Sequence, residues 1–125
     1  VVLFSDHGFH LGDHGGLWAK LSAFGQATRV PFLLAGPGVP AGRAVAAPIE
    51  LLDVFPTLAD LAGLAAPAPL DGRSLVPHLQ GSGGHDEVIG EYMAEGSKTP
   101  LFMVRRGPWK FIYSQPFCKR YDKKC

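Results

Sequence analysis

Two short runs, Val1–Phe4 and Val30–Ala35, are apolar throughout. The first stops at Ser5-Asp6-His7-Gly8 and the second at Gly36-Pro37-Gly38. A strand with one wet face alternates apolar and polar residues. A run without alternation reads as a strand covered on both faces, as in the parallel sheets of α/β domains. Pro31 has no N–H to give a ladder, so it belongs at the start of its strand or on a sheet edge. The pattern therefore predicts an α/β fold with parallel strands. A buried strand that opens at residue 1, with no turn before it, leads to the expectation that the chain is a piece of a larger domain.

The intervening segments have their own signals. Gly8, Gly12, Gly15 and Gly16 crowd residues 8–16. Each disfavours a helix by ~1 kcal/mol relative to Ala, so the segment reads as a loop. Residues 17–24 are expected to form a short helix. Leu51, Leu52, Phe55, Leu58, Ala59 and Ala62 recur near the helical period, with Gly63 as a natural C-terminal cap. Pro56 fits only near the first turn, with a looser turn ahead of it. Asp71-Gly72-Arg73 reads as a turn, and Ser74 as the cap of a short helix from Leu75 to Leu79. Val88–Met93, Leu101–Arg106 and Trp109–Ser114 read as strands, the last two joined by Gly107-Pro108 as an antiparallel hairpin. The expected layout is an α/β part over residues 1–80, a small antiparallel C-terminal subdomain over 81–114 and an atypical basic tail over 115–125.

Composition narrows the classes. The chain has 125 residues, 46% apolar and 18% charged, which fits one globular domain at most. No apolar run approaches the ~18 residues of a membrane span. From Arg105 onward seven basic residues accompany one acid, Asp122, whereas residues 1–104 hold five basic and ten acidic residues. Much of that basic stretch reads as a hairpin rather than as a charged arm, so neither a nucleic-acid nor a membrane partner is expected. Oligomeric state stays open. Cys118 and Cys125 can close a small loop but define no redox compartment. The expectation for localisation is likewise open, leaning to the cytoplasm.

The chemistry concentrates in one loop: Asp6, His7, His10, Asp13 and His14. Ligands of open α/β sheets bind where loops leave the carboxyl ends of strands, and Asp6-His7 leaves the first strand there. A carboxylate oxygen and an imidazole nitrogen side by side can grip a divalent cation; a surface turn with exposed polar groups is the plain alternative. His10 and His14 read as outer supporting groups or as exposed loop residues. Lys20 can reach an anionic ligand or stay solvated. Glu91, Tyr92 and Glu95 can line a pocket or end a strand, and His78 and His85 receive no role. There is no G-x-G-x-x-G motif, P-loop, G-x-S-x-G elbow or C-x-x-C pair.

Ser5-Asp6-His7-Gly8, Leu11-Gly12-Asp13-His14-Gly15 and Leu17-Trp18-Ala19-Lys20 together resemble the sulfatase family, which shares the alkaline-phosphatase-like α/β sandwich. The resemblance continues through Arg29-Val30-Pro31-Phe32, Asp53-Val54-Phe55-Pro56-Thr57-Leu58, Leu61-Ala62-Gly63 and Asp71-Gly72-Arg73-Ser74-Leu75. Glu91–Gly96 and Phe102–Tyr113 are similar to choline sulfatases, and the first loop to iduronate-2-sulfatase-like proteins.

That resemblance implies hydrolysis of a small-molecule sulfate ester with a divalent cation, usually Ca²⁺, with Mg²⁺ and Zn²⁺ as alternatives. It matches Asp6 and His7 to cation ligands and Lys20 to a catalytic contact with a sulfate oxygen. It also implies a formylglycine nucleophile made from the Cys or Ser of a C/S-x-P-S/A-R motif. No such motif occurs in these 125 residues. The chain is therefore expected to be the C-terminal part of a sulfatase, inactive alone. Gly15-Gly16 makes the spacing to Lys20 one residue longer than the family's usual one. Gln115–Cys125 does not match the usual family ending. Two other readings stand beside this one: a zinc-dependent phosphodiesterase or phosphatase of the same superfamily, and a truncated, non-catalytic interaction module.

Overall fold

The computed structural model describes residues 1–93 and 99–114. Strand β1 (Val2–Phe4) pairs with β4 (Phe32–Leu34), matching Val2 to Leu34, Leu3 to Leu33 and Phe4 to Phe32. The pairing is antiparallel, which corrects the expected parallel arrangement of these two strands. An apolar run reports burial and not direction, so the sequence pattern carried no information on this point. Nor are both faces covered among the described residues. Leu3 is 60% exposed, and Phe4 and Leu33 are exposed as well.

Between these strands a small hairpin joins β2 (His10–Leu11) to β3 (Trp18–Ala19), with His10 opposite Ala19 and Leu11 opposite Trp18. Its tip is a helical turn, α1 (Asp13–Gly16), in which His14 and Gly15 have positive φ. The turn therefore does not propagate as a right-handed helix, in keeping with its glycine content. The helix expected over residues 17–24 is absent. Those residues form β3 and a bend, and a helical turn, α2 (Gly25–Thr28), follows.

The main helix is close to its expected form. A 3-10 turn (Leu51–Asp53) leads into α3 (Val54–Leu61), which places Pro56 in the first turn, where its missing N–H costs nothing. The following helix, α4 (Val76–Leu79), starts one residue later than expected. Ser74 does not cap it at the expected position. Its hydroxyl accepts from Val76 N at 3.2 Å and donates to an Asp60 carboxylate oxygen.

The C-terminal strands β5 (Glu87–Tyr92), β6 (Leu101–Arg106) and β7 (Trp109–Ser114) form an antiparallel meander in that order. Val88 and Met103 turn inward, while Ile89, Phe111 and Trp109 lie on the outer face, Trp109 at 80% exposure. Lys110 is drawn inward and donates to Thr28 Oγ1 at 2.8 Å. Burial first, and Arg105 second, hold its pKa below the usual lysine value.

The interior combines a few apolar side chains with buried polar ones. Ala23, Ala27, Leu75, Val88 and Met103 are buried, yet the largest fully buried side chains are His10, Thr57 and Asp53. Burying such groups is costly without hydrogen bonds, and His10, Thr57 and Asp53 all make them. Hydrogen-bonded hubs therefore position much of this chain.

Candidate functional site

At the end of β1 the backbone turns sharply. Ser5 donates its hydroxyl to the carbonyl of His7 at 2.7 Å, and the His7 amide donates to Asp6 Oδ1 at 3.0 Å. Gly8 donates its amide to Ala27 O at 2.8 Å, which brings the loop against α2. A Cβ on residue 8 would lie 1.9 Å from the Gln26 carbonyl oxygen, so only glycine fits this close approach.

This turn places Asp6 and His7 together. His7 Nδ1 donates to the Gly8 carbonyl at 2.7 Å, which leaves the lone pair on Nε2. That nitrogen lies 3.5 Å from Asp6 Oδ2. The Asp6 side chain is 81% exposed and His7 is partly exposed. An imidazole held at one nitrogen by a backbone carbonyl is the usual outer support of a metal-bound histidine. The donor set, one hard oxygen and one nitrogen, suits a divalent cation.

The other loop residues sort differently. Lys20 is exposed, directly after β3. His14 is exposed, stacks on Phe24 with ring centroids 4.2 Å apart, and bonds Gln26 Oε1 at 3.1 Å. His10 is only 1% exposed. Its Nδ1 meets Asp13 Oδ1 and its Nε2 lies 2.6 Å from Ser22 Oγ.

A second polar cluster forms where sequence reasoning assigned no role to His85. Asp53 is fully buried, and its carboxylate accepts from Glu50 N at 3.0 Å, Arg73 N at 3.0 Å and His85 Nε2 at 2.7 Å. The Arg73 guanidinium donates to His85 Nδ1, which assigns the imidazole proton to Nε2. Glu50 Oε1 accepts from Ile89 N at 2.7 Å, tying the 3-10 turn to β5. The carboxylate and imidazole atoms of Glu50, Asp53 and His85 lie within 4.8 Å of one another, close enough to hold a cation in principle. Those Asp53 and His85 atoms are already committed to N–H partners, and the Arg73 charge stands beside them. The cluster is therefore better suited to bracing the fold than to gripping a metal.

His78 packs next to it, ring centroids 6.0 Å from His85. It is 6% exposed, and neither ring nitrogen has a hydrogen-bond partner. Burial chiefly, then His85, push its pKa below the ordinary histidine value; Asp53 acts the other way and Arg73 lowers it further. No sequence signal marks His85, because its partners Asp53 and Arg73 lie on other segments, or His78, whose burial beside His85 only the fold decides. Glu91 is exposed on β5 and Tyr92 is half-buried, whereas Glu95, Cys118 and Cys125 lie outside the described residues.

Residues 1–64, which include the Asp6–His7 turn, the hairpin and α3, match the Sulfatase family profile. The chain belongs to the sulfatase family. It is 45% identical over 117 residues to the choline-sulfatase of Rhizobium meliloti (strain 1021), covering 90% of this chain and 22% of that protein. It is 37% identical over 119 residues to arylsulfatase K of Danio rerio, covering 90% of this chain and 23% of that protein. Among solved structures it resembles the phosphonate monoester hydrolase SpPMH from Silicibacter pomeroyi, with a TM-score of 0.78 and 27% identity. That match covers 90% of this chain and 26% of the other. The fold is thus α/β of the alkaline-phosphatase-like kind. The chain spans only about a quarter of the length of these relatives.

Proposed function

We propose that this chain supplies part of the active site of a sulfuric ester hydrolase acting on a small-molecule sulfate ester. The observation that carries the reading is the His7 imidazole, tied through Nδ1 to the Gly8 carbonyl, with Nε2 3.5 Å from Asp6 Oδ2 at the end of β1. Asp6 and His7 would hold a divalent cation, Ca²⁺ in the first instance. When bound, such an ion polarises the ester's sulfate oxygens and offsets developing negative charge. Two protein donors fall well short of the six to eight ligands that Ca²⁺ takes, so further ligands must come from elsewhere. Lys20 would place an ammonium against a sulfate oxygen and add electrostatic stabilisation. The formylglycine nucleophile would lie in a segment that the 125 residues do not include, and alone they would not turn over substrate. The 45% identity to a choline-sulfatase favours a small cationic alcohol as the esterified group.

The likeness to a phosphonate monoester hydrolase favours a second reading, hydrolysis of a phosphorus ester at the same site. One graft separates the two. Residues 1–114 replace the matching stretch of the Rhizobium meliloti choline-sulfatase, and turnover of a sulfate ester is compared with that of a phosphonate monoester. The proposal expects at least about a tenfold preference in kcat/KM for the sulfate ester. The opposite preference would transfer the assignment to phosphorus esters. A folded graft that hydrolyses neither would refute both.

A further inference from the structure

We propose that His10 is a positioning residue whose buried side chain fixes where Lys20 stands relative to the Asp6–His7 pair. The inference rests on the site assignment just made and adds a residue to it. Lys20 is long, exposed and flanked by irregular backbone: Ala19, immediately before it, has a φ of +67°. A non-glycine residue in that region costs about 1 kcal/mol or more, so something must hold it there.

His10 contacts the chain on both sides of Lys20. Its backbone is paired with Ala19 in the β2–β3 ladder. Its Nε2 lies 2.6 Å from the hydroxyl of Ser22, two residues beyond the lysine. Nδ1 is held by the carboxylate of Asp13 at the hairpin tip. The Phe24 amide also donates to Ser22 Oγ, at 3.1 Å, so that hydroxyl has its proton free for the imidazole. The pattern assigns the Nδ1–H tautomer, with Ser22 donating to Nε2. The Ser22 amide donates to Lys20 O at 2.8 Å, which closes a tight three-residue turn that starts at the lysine and ends at Ser22.

This arrangement of serine, imidazole and carboxylate has the order of a nucleophilic triad. Here the imidazole is 1% exposed and its serine is engaged in a turn, so the set acts as a clasp. A site that must present a lysine to an anion gains from such rigidity, because misplacement by about 1 Å can cost up to ~100-fold in rate.

The test uses the 125-residue chain with Mn²⁺ as a paramagnetic probe of the Asp6–His7 pair. Broadening of the Lys20 signals reports its distance from the bound ion. In the native chain and in Ser22→Thr, which keeps the hydroxyl, the Lys20 broadening should be the same. In Ser22→Ala and His10→Gln it should change at least about twofold, while the broadening at Asp6 and His7 stays constant. Ser22→Ala removes a single hydroxyl and guards against a His10 variant that fails to fold. Imidazole ¹⁵N spectra of the native chain should show one Nδ1–H tautomer for His10, perturbed in Ser22→Ala. Unchanged Lys20 broadening in both variants, or a tautomerically averaged His10, would overturn the proposal. Asp6 and His7 supply only part of an ion's ligand shell, so where Mn²⁺ leaves their signals sharp the ¹⁵N pattern alone decides the clasp.

Discussion

His85 Nε2 donates to Asp53 Oδ2 at 2.7 Å across a separation of 32 residues. With the amides of Glu50 and Arg73 it makes the buried Asp53 carboxylate the acceptor of three N–H groups. Removing that carboxylate leaves several buried donors unpaired, at about 1–3 kcal/mol each. Asp53→Ala should therefore lower unfolding free energy by about 3 kcal/mol or more, measured by urea denaturation. A loss below ~1 kcal/mol would show that water or local shifts replace the carboxylate.

Gly72 is required next to this hub. A Cβ there would stand 2.1 Å from the Leu52 carbonyl oxygen, and Arg73 could not bring its amide to Asp53. Gly72→Ala should destabilise by about 2 kcal/mol or more, and the double variant with Asp53→Ala should lose less than the sum. Full additivity would contradict the claim that both act through one contact.

These contacts show what was legible in the sequence and what was not. Pro56 and the helical spacing of Phe55, Leu58 and Ala62 announced α3, and Gly107-Pro108 announced the final hairpin, because both signals are local. Leu17, Leu21 and Phe24 mimic a helical face. The Ser22 contact to His10 and the β2–β3 pairing override that propensity. Asp6 and His7 were visible because they are neighbours in sequence. The Asp53–His85 and His10–Ser22 contacts were invisible because they join segments whose approach only the fold decides.

His78 makes stability pH-dependent. Its folded pKa lies below the unfolded value of 6.5, so the unfolded chain binds the proton more readily. By linkage, stability is fully present above pH 6.5 and falls as pH drops below it, until the lowered folded pKa is reached. Asp53, His85 and Arg73 face this ring, and His78→Phe removes its titration while keeping its bulk. The melting temperature of the native chain should decline from pH 7 towards about pH 5, and the decline should be shallower in His78→Phe. Equal slopes in the two proteins would assign the effect to other groups.

Gly8→Ala tests the support of the candidate cation pair. The added methyl collides with Gln26 O and pushes the Asp6–His7 turn off α2. Cation affinity should fall by about 10–100-fold, as when an outer support of a metal ligand is lost, in a titration followed by NMR. Unaltered affinity would mean that the turn needs no anchor.

Metal content and turnover of the choline-sulfatase graft, with and without Asp6→Ala, test the central claim most directly. The account predicts a bound divalent cation and sulfate ester hydrolysis in the graft. It also predicts loss of the ion and about a hundredfold or greater fall in kcat/KM on Asp6→Ala. An Asp6→Ala graft that keeps both its cation and its turnover would contradict it.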